Sequence, residues 1–136
     1  MLKRLREKEE KIAEVLTALA EESVKGTPIL VEGKKDIEAL RALGIEGPLL
    51  SVKTGGKSFL DVVSELEKSK TSRVILFLDF DRRGKEGTRQ LKQNLEMAKI
   101  ETDIEFWRAL SRLAGRDAQC VEGLIAYLEK LRTKVA

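Results

Sequence analysis

This 136-residue chain contains no histidine and a single cysteine, Cys120. Without histidine there is no imidazole base, no Ser-His-Asp triad and no His-ligated zinc. One cysteine excludes an internal disulfide and a thiolate metal cluster. A metal in this protein must therefore be held by oxygen, which suits Mg²⁺, Mn²⁺ or Ca²⁺. No apolar run approaches the roughly 18 residues that suggest a membrane span. The charged start, MLKRLREKEEKIAEVL, lacks the short apolar core of a signal peptide. These absences lead to the expectation of a cytoplasmic protein without membrane contact. Asn occurs once and Gln three times against abundant Lys and Glu, a balance that leans toward thermophile proteins. The net charge is only +3, from 26 basic and 23 acidic residues. The placement of the cations therefore matters more than their sum.

The length suits one domain with a real core, and 42% of the residues are hydrophobic, in periodic blocks. Leu2, Leu5, Ile12, Leu16 and Leu19 predict a helix over 2–24, ended by Gly26 and Pro28. It reads as a packing helix on the flank; its crowded start, Lys3, Arg4, Arg6, Lys8 and Lys11, also allows a basic helix that touches nucleic acid. PILVEG (28–33) is a short strand, followed by a helix over 35–43 with Gly44 just past its end. PLLSV (48–52) is a second strand and KTGGKS (53–58) a loop. Ser58 and Asp61 form a capping-box pattern before the apolar positions Phe59, Val62, Val63 and Leu66. RVILFLDF (73–80) is apolar on both faces and reads as a central strand. A helix over about 85–98 follows, then an alternating strand over 100–106, at an edge of the sheet. Helices over 107–114 and 121–132 complete the chain. Strands alternating with helices imply an α/β fold: a mainly parallel, four-stranded sheet with helices on both faces.

In such a sheet, ligands bind beyond the carboxyl ends of the strands, where the strand order reverses. The sequence places Glu32-Gly33, the Lys53–Lys57 loop and Asp79-Phe80-Asp81-Arg82-Arg83-Gly84 at those ends. A turn after residue 79 would let Asp79 and Asp81 converge, with Gly84 helping the turn and Gly33 allowing backbone to approach Glu32 closely. Three carboxylates packed together repel one another unless a cation lies between them. Mg²⁺, or Mn²⁺, held by Glu32, Asp79 and Asp81 meets that need. Lys34, Lys35, Lys53, Lys57, Arg82, Arg83 and Lys85 then form a cationic rim suited to a phosphodiester. The segment TGGKS is not a P-loop, because the first glycine of that motif would fall at Ser51. Tyr127 and Trp107 read as packing residues, and Cys120 as a small buried or partly buried one.

The order ILVEGKKD, then a strand and a Gly-rich turn, then VILFLDFDRRG resembles the Toprim domain. That domain is shared by topoisomerases, bacterial-type primases, some nucleases and 5S-rRNA maturation ribonucleases. Its pattern, Glu-Gly after the first strand and Asp-x-Asp-x-x-Gly after a later one, is matched by Glu32-Gly33 and by Asp79, Asp81 and Gly84. The chain is most similar to small stand-alone archaeal Toprim proteins. The resemblance covers about residues 28–106, a core flanked by the helices over 2–24 and 107–132 within a single domain, 1–136. It implies a Rossmann-like sheet, Glu32 as general acid/base near the metal, and Asp79 and Asp81 as Mg²⁺ ligands. Asp36 matches a frequent acid of the family and reads here as a helix N-cap or as a support to the ligands. Lys53 and Lys57 flank a loop facing nucleic acid. The chain shows neither the separate tyrosine-bearing domain of a topoisomerase nor the zinc module of many primases.

Two functions follow. One is Mg²⁺-dependent phosphodiester cleavage of RNA or DNA. The other is a non-catalytic RNA-binding module within an RNA-processing or ribonucleoprotein complex, with the N-terminal or C-terminal helix docking a protein partner. A phosphatase with an Asp-x-Asp nucleophile is a poorer fit. Too little chain follows Asp79 for its downstream motifs, and Glu32 would be unexplained.

Overall fold

A computed structural model describes residues 1–53, 56 and 58–136. Along them run α1 (Leu2–Val24), β1 (Ile29–Val31), α2 (Lys34–Ala42), β2 (Leu49–Ser51), α3 (Phe59–Lys68), β3 (Arg73–Phe77), α4 (Arg82–Met97), β4 (Glu101–Asp103), α5 (Glu105–Ala114) and α6 (Val121–Val135). The strands form one sheet in the order β2-β1-β3-β4, and every pairing is parallel. The register sets Val31 beside both Ser51 and Phe77, so β1, β2 and β3 finish level with one another. From β1 the chain crosses to β2 on one side and later to β3 on the other. The crevice between the ends of β1 and β3 is therefore the switch point where open parallel sheets bind ligands. No helix among the described residues is long and apolar enough to cross a membrane.

Alternate side chains of β1 and β3 build two cores. Ile29, Val31, Ile75 and Phe77 pack with α1, α2, α5 and α6 through Ile12, Leu19, Leu40, Leu110 and Leu124. Leu30, Val74, Leu76 and Leu78 face the other way, onto Val62 and Leu66 of α3 and Leu91 and Leu95 of α4. Residues 74 to 77 are fully buried. That explains the unbroken apolar run: a central parallel strand is covered on both faces.

The structure corrects several boundaries. The alternating stretch 100–106 is a strand only over Glu101–Asp103. The Asp103 carboxylate accepts a hydrogen bond from the Glu105 N–H at 2.9 Å, a side-chain turn that starts α5, so Phe106 belongs to a helix. α4 begins at Arg82 because the Asp81 carboxylate caps it, accepting from the Gly84 N–H at 2.8 Å. α2 begins at Lys34, and α6 continues to Val135. The expected capping box at Ser58 and Asp61 is present, with bonds of 3.2 and 2.9 Å. Gly44 follows α2 at φ +89°, a left-handed position suited to glycine.

α1 is fixed to the opposite edge of the sheet by Ser23, which is fully buried and accepts a hydrogen bond from the Gly47 N–H at 2.9 Å. Replacing Ser23 with Ala leaves that N–H without a partner. The expected cost is about 1–3 kcal/mol, read as a lowered denaturant midpoint at unchanged slope.

Candidate functional site

Glu32 follows β1, Lys53 follows β2 and Asp79 follows β3, so the topology delivers all three to one edge. Glu32 lies in the crevice with both carboxylate oxygens engaged. Oε2 accepts from the Asp79 N–H at 3.4 Å, and Oε1 stands 3.1 Å from Lys53 Nζ. Two backbone bonds also tie β2 to β1 there: Val52 N–H to the Val31 carbonyl at 3.0 Å and Lys53 N–H to the Glu32 carbonyl at 3.2 Å.

Asp79 is the residue with an unmet need. Its Oδ1 is buried and has no hydrogen-bond partner. Burial, and then the negative charges of Glu32, Asp36 and Asp81, push its carboxyl up to about 7, while Lys53 opposes them. A half-buried acid among like charges resists ionisation unless a cation offsets it. Among the described residues, no three acidic side chains form a ready-made metal cage. Asp81 spends one oxygen on its helix cap, and Glu32 is paired with Lys53. That lysine is 54% exposed and holds Glu32 from the solvent side, where such pairs are weak. The orphaned oxygen and the coupled acids are what a divalent ion would satisfy, so the donor set fits one.

Asp36 is buried but does not cap α2 as an N-cap residue. It stands at the third helical position, and its Oδ2 accepts from the N–H of Gly33, the actual N-cap, at 3.1 Å. The Glu122 N–H at the start of α6 also bonds this carboxylate; burial nevertheless raises its pKa, and Glu32 adds to the rise. Asp36 therefore joins the first turns of α2 and α6 beside the site.

The two glycines differ from each other. Gly84 is in the first turn of α4, where a Cβ would meet the Asp79 carbonyl oxygen at 2.0 Å, so its absent side chain lets the helix close onto Asp79. Gly33 has extended backbone, and a Cβ there would meet nothing within 4 Å. The space a side chain would take is open among the described residues, although the Asp36 carboxylate meets its N–H.

Of the rim, Lys34, Lys35, Lys53, Arg82, Arg83 and Lys85 are all exposed. Lys34 and Lys35 open α2, and Arg82, Arg83 and Lys85 open α4. Lys53 is engaged by Glu32, and Arg82 pairs with Glu86 at 3.3 Å. Lys57 lies outside the described residues.

The sequence did not reveal what holds Asp79 still. Trp107 Nε1 donates to the Asp79 carbonyl at 3.2 Å, and the Phe80 N–H donates to the Gln119 carbonyl at 2.7 Å. The one available hint is that a half-buried indole needs an acceptor. Cys120 is half-buried, within the reading of it as buried or partly buried, and it also caps α6, its sulfur accepting from the Gly123 N–H at 3.4 Å.

An acidic cluster at the switch point of a parallel sheet, rimmed by helix-borne cations, has the charge pattern that phosphate chemistry or phosphate binding calls for. The sequence profile of the Toprim domain matches residues 26–108, and the chain belongs to the Toprim family, whose domains bind metal and process nucleic acids. It is similar to small archaeal proteins. The UPF0292 protein of Methanosarcina acetivorans is 32% identical over 95% of this chain and 88% of its own. That of Methanocaldococcus jannaschii is 30% identical over 89% of this chain and 92% of its own. The solved structure of a protein from Aquifex aeolicus is similar at a TM-score of 0.65 and 32% identity, covering 74% of this chain and 88% of that one.

The raised Asp79 carboxyl fixes a sign. An unfolded Asp titrates near 4, whereas the folded one does so at about 7. The folded state therefore holds its proton more tightly. Its contribution is fully present below pH 4 and is lost as pH rises toward and through 7. In chelator, the unfolding midpoint of the wild type should fall relative to that of Asp79→Asn over this window. Parallel pH profiles would contradict the assignment.

Proposed function

We propose that this Toprim protein is a metal-dependent phosphodiester-cleaving enzyme acting on RNA or DNA. The observation that carries the reading is the buried, unpartnered Oδ1 of Asp79 at the switch crevice. In this reading residues 28–106 are the working core of a single domain, 1–136, and helices 2–24 and 107–132 flank it. Asp79, Asp81 and Glu32 would hold Mg²⁺ or Mn²⁺. When bound, the ion supplies Lewis-acid stabilisation of charge on a phosphate oxygen.

The chain's own residues do the rest. Glu32 is in position to exchange a proton, because its carboxylate is held by Lys53 and by the Asp79 N–H. Lys53 holds the Glu32 carboxylate at 3.1 Å until substrate draws the lysine away. Gly84, Trp107 and Gln119 fix the Asp79–Phe80 backbone and so hold the carboxylate at one place. Lys34, Lys35, Arg83 and Lys85, with Lys53, Lys57 and Arg82, bind backbone phosphates without reading bases.

The second reading is an RNA-binding module that does not cleave. It is favoured by the Lys53–Glu32 pair and by the absence of a ready-made cage among the described residues. Activity and metal binding separate the two. The expected result is Mg²⁺-dependent cleavage of structured RNA or single-stranded DNA that falls about 10²–10⁴-fold in Asp79→Asn and in Glu32→Gln. Mg²⁺ should also raise the unfolding temperature of the wild type and leave that of Asp79→Asn unchanged. Salt-sensitive RNA binding without turnover in any divalent ion would select the binding module. Wild-type cleavage rates in Asp79→Asn would remove this site from the chemistry.

A further inference from the structure

α1 precedes the segment matched by the Toprim profile. Its position in the fold gives its basic start a role that packing does not explain. The C-terminal end is tied to the strand-start edge of the sheet, where Glu22 pairs with Arg73 at 3.2 Å. Further up, Lys8 pairs with Asp117 at 3.3 Å, two residues before Gln119, whose carbonyl bonds the Phe80 N–H. From Glu22 back to Lys8 the helix rises about 21 Å at 1.5 Å per residue. From Arg73 to Phe77, the span of β3, the chain advances roughly 13 Å at about 3.3 Å per residue, and residues 78–80 carry it past the strand end. The Lys8–Asp117 pair thus brings the helix to the site's edge, and the turns before Lys8 extend past that contact.

Leu5 still packs against the core, while Met1 and Leu2 are exposed. Residues 1–6 include no acid and three cations, Lys3, Arg4 and Arg6. All three are exposed, and no ion pair engages them among the described residues. They sit at the positive end of a helix dipole, where cations are unfavourable. α2 does the same with Lys34 and Lys35, and α4 with Arg82, Arg83 and Lys85. Three helices therefore carry cations against their own dipoles, and the topology turns all three starts toward the edge that holds Asp79. Helix stability does not account for that pattern; a polyanion lying along the edge does.

We propose that the N-terminal end of α1 is a second phosphate-binding surface, which takes the sugar-phosphate backbone of the nucleic acid several nucleotides away from the acidic site. The inference rests on the reading of that site as one for nucleic acid. It adds a footprint longer than the rim alone. Lys8 is anchored beside the segment that bonds Phe80, and Arg6 and Lys3 lie about 3 and about 7.5 Å further along the helix axis at 1.5 Å per residue.

The test compares the full-length wild type with Lys3→Ala/Arg4→Ala/Arg6→Ala and with Lys34→Ala/Lys35→Ala/Arg83→Ala. Fluorescence anisotropy is followed over a salt series, with oligonucleotides of about 6 and about 20 nucleotides, RNA and DNA. All three substituted side chains of α1 are exposed, so the unfolding midpoint should hold, and it is measured alongside. The α1 variant should lose about tenfold or more in affinity for the long probe. Its log-affinity against log-salt slope should become shallower by about 2, near 0.7–0.9 per lost phosphate contact. Its affinity for the short probe should match the wild type, whereas the rim variant should lose both probes. An unchanged long-probe slope in the α1 variant, with the rim variant impaired, would overturn the second surface and leave the site reading standing. Wild-type protein that binds neither probe would overturn both. Loss in the α1 variant of binding to vesicles of anionic lipid, with nucleic-acid affinity intact, would assign these cations to a membrane surface instead.

Discussion

The carboxyl group of Asp79 stands at the centre of this protein: it is half-buried, close to three other acids, and one oxygen has nothing to bond. Every neighbouring element responds to that negative charge. The first turns of α2 and α6 converge on Asp36, so their N–H groups draw its charge toward the helix starts. α4 opens on the Asp81 cap. Lys53 reaches across from the end of β2 to neutralise Glu32. What is left unbalanced is the charge on Asp79 itself, whose pKa is raised first by burial and then by the acids around it. A cation from solution, or a proton, is required to close the account of charge at this edge of the sheet.

The precision of the site comes from elements outside the strands. Asp79 follows the last residues of β3, where sheet hydrogen bonding has ended. Its backbone would be loose if Trp107 and Gln119 did not bind the Asp79 carbonyl and the Phe80 N–H. Gly84 adds a close approach from α4 that any side chain would block. The flanking helices thus form a clamp on the edge that carries Asp79 as well as a cover for one core. This ties the integrity of the site to the packing of α5 and α6, including segments beyond the match to the Toprim profile.

Much of the fold was legible because periodicity and burial agree. The unbroken run Val74–Phe77 could only be a strand covered on both faces, and Leu91 and Leu95 could only share one side of α4. Where two signals competed, the local one misled. Residues 100–106 alternate like a strand, yet the Asp103 side chain starts a helix after three paired residues. The acids of the site were legible as well, since strand ends and the Asp-x-Asp pattern direct attention there. Their division of labour was not. Asp81 serves a helix cap, Asp36 stands inside α2, and the side-chain position of Gly33 is open among the described residues.

Sequence by itself determined which residues alternate between two buried faces, and hence a parallel sheet whose strand ends carry Glu32, Lys53 and Asp79. That follows from short-range geometry, the two-residue repeat of strands and the 3.6-residue repeat of helices. Only the tertiary structure decided which side chains neutralise which, that an oxygen of Asp79 is left without a partner, and that Lys8 of α1 meets Asp117 close to the segment that bonds Phe80. Those facts depend on where helices far apart in the chain end up, and local spacing carries no information about contacts made across such distances.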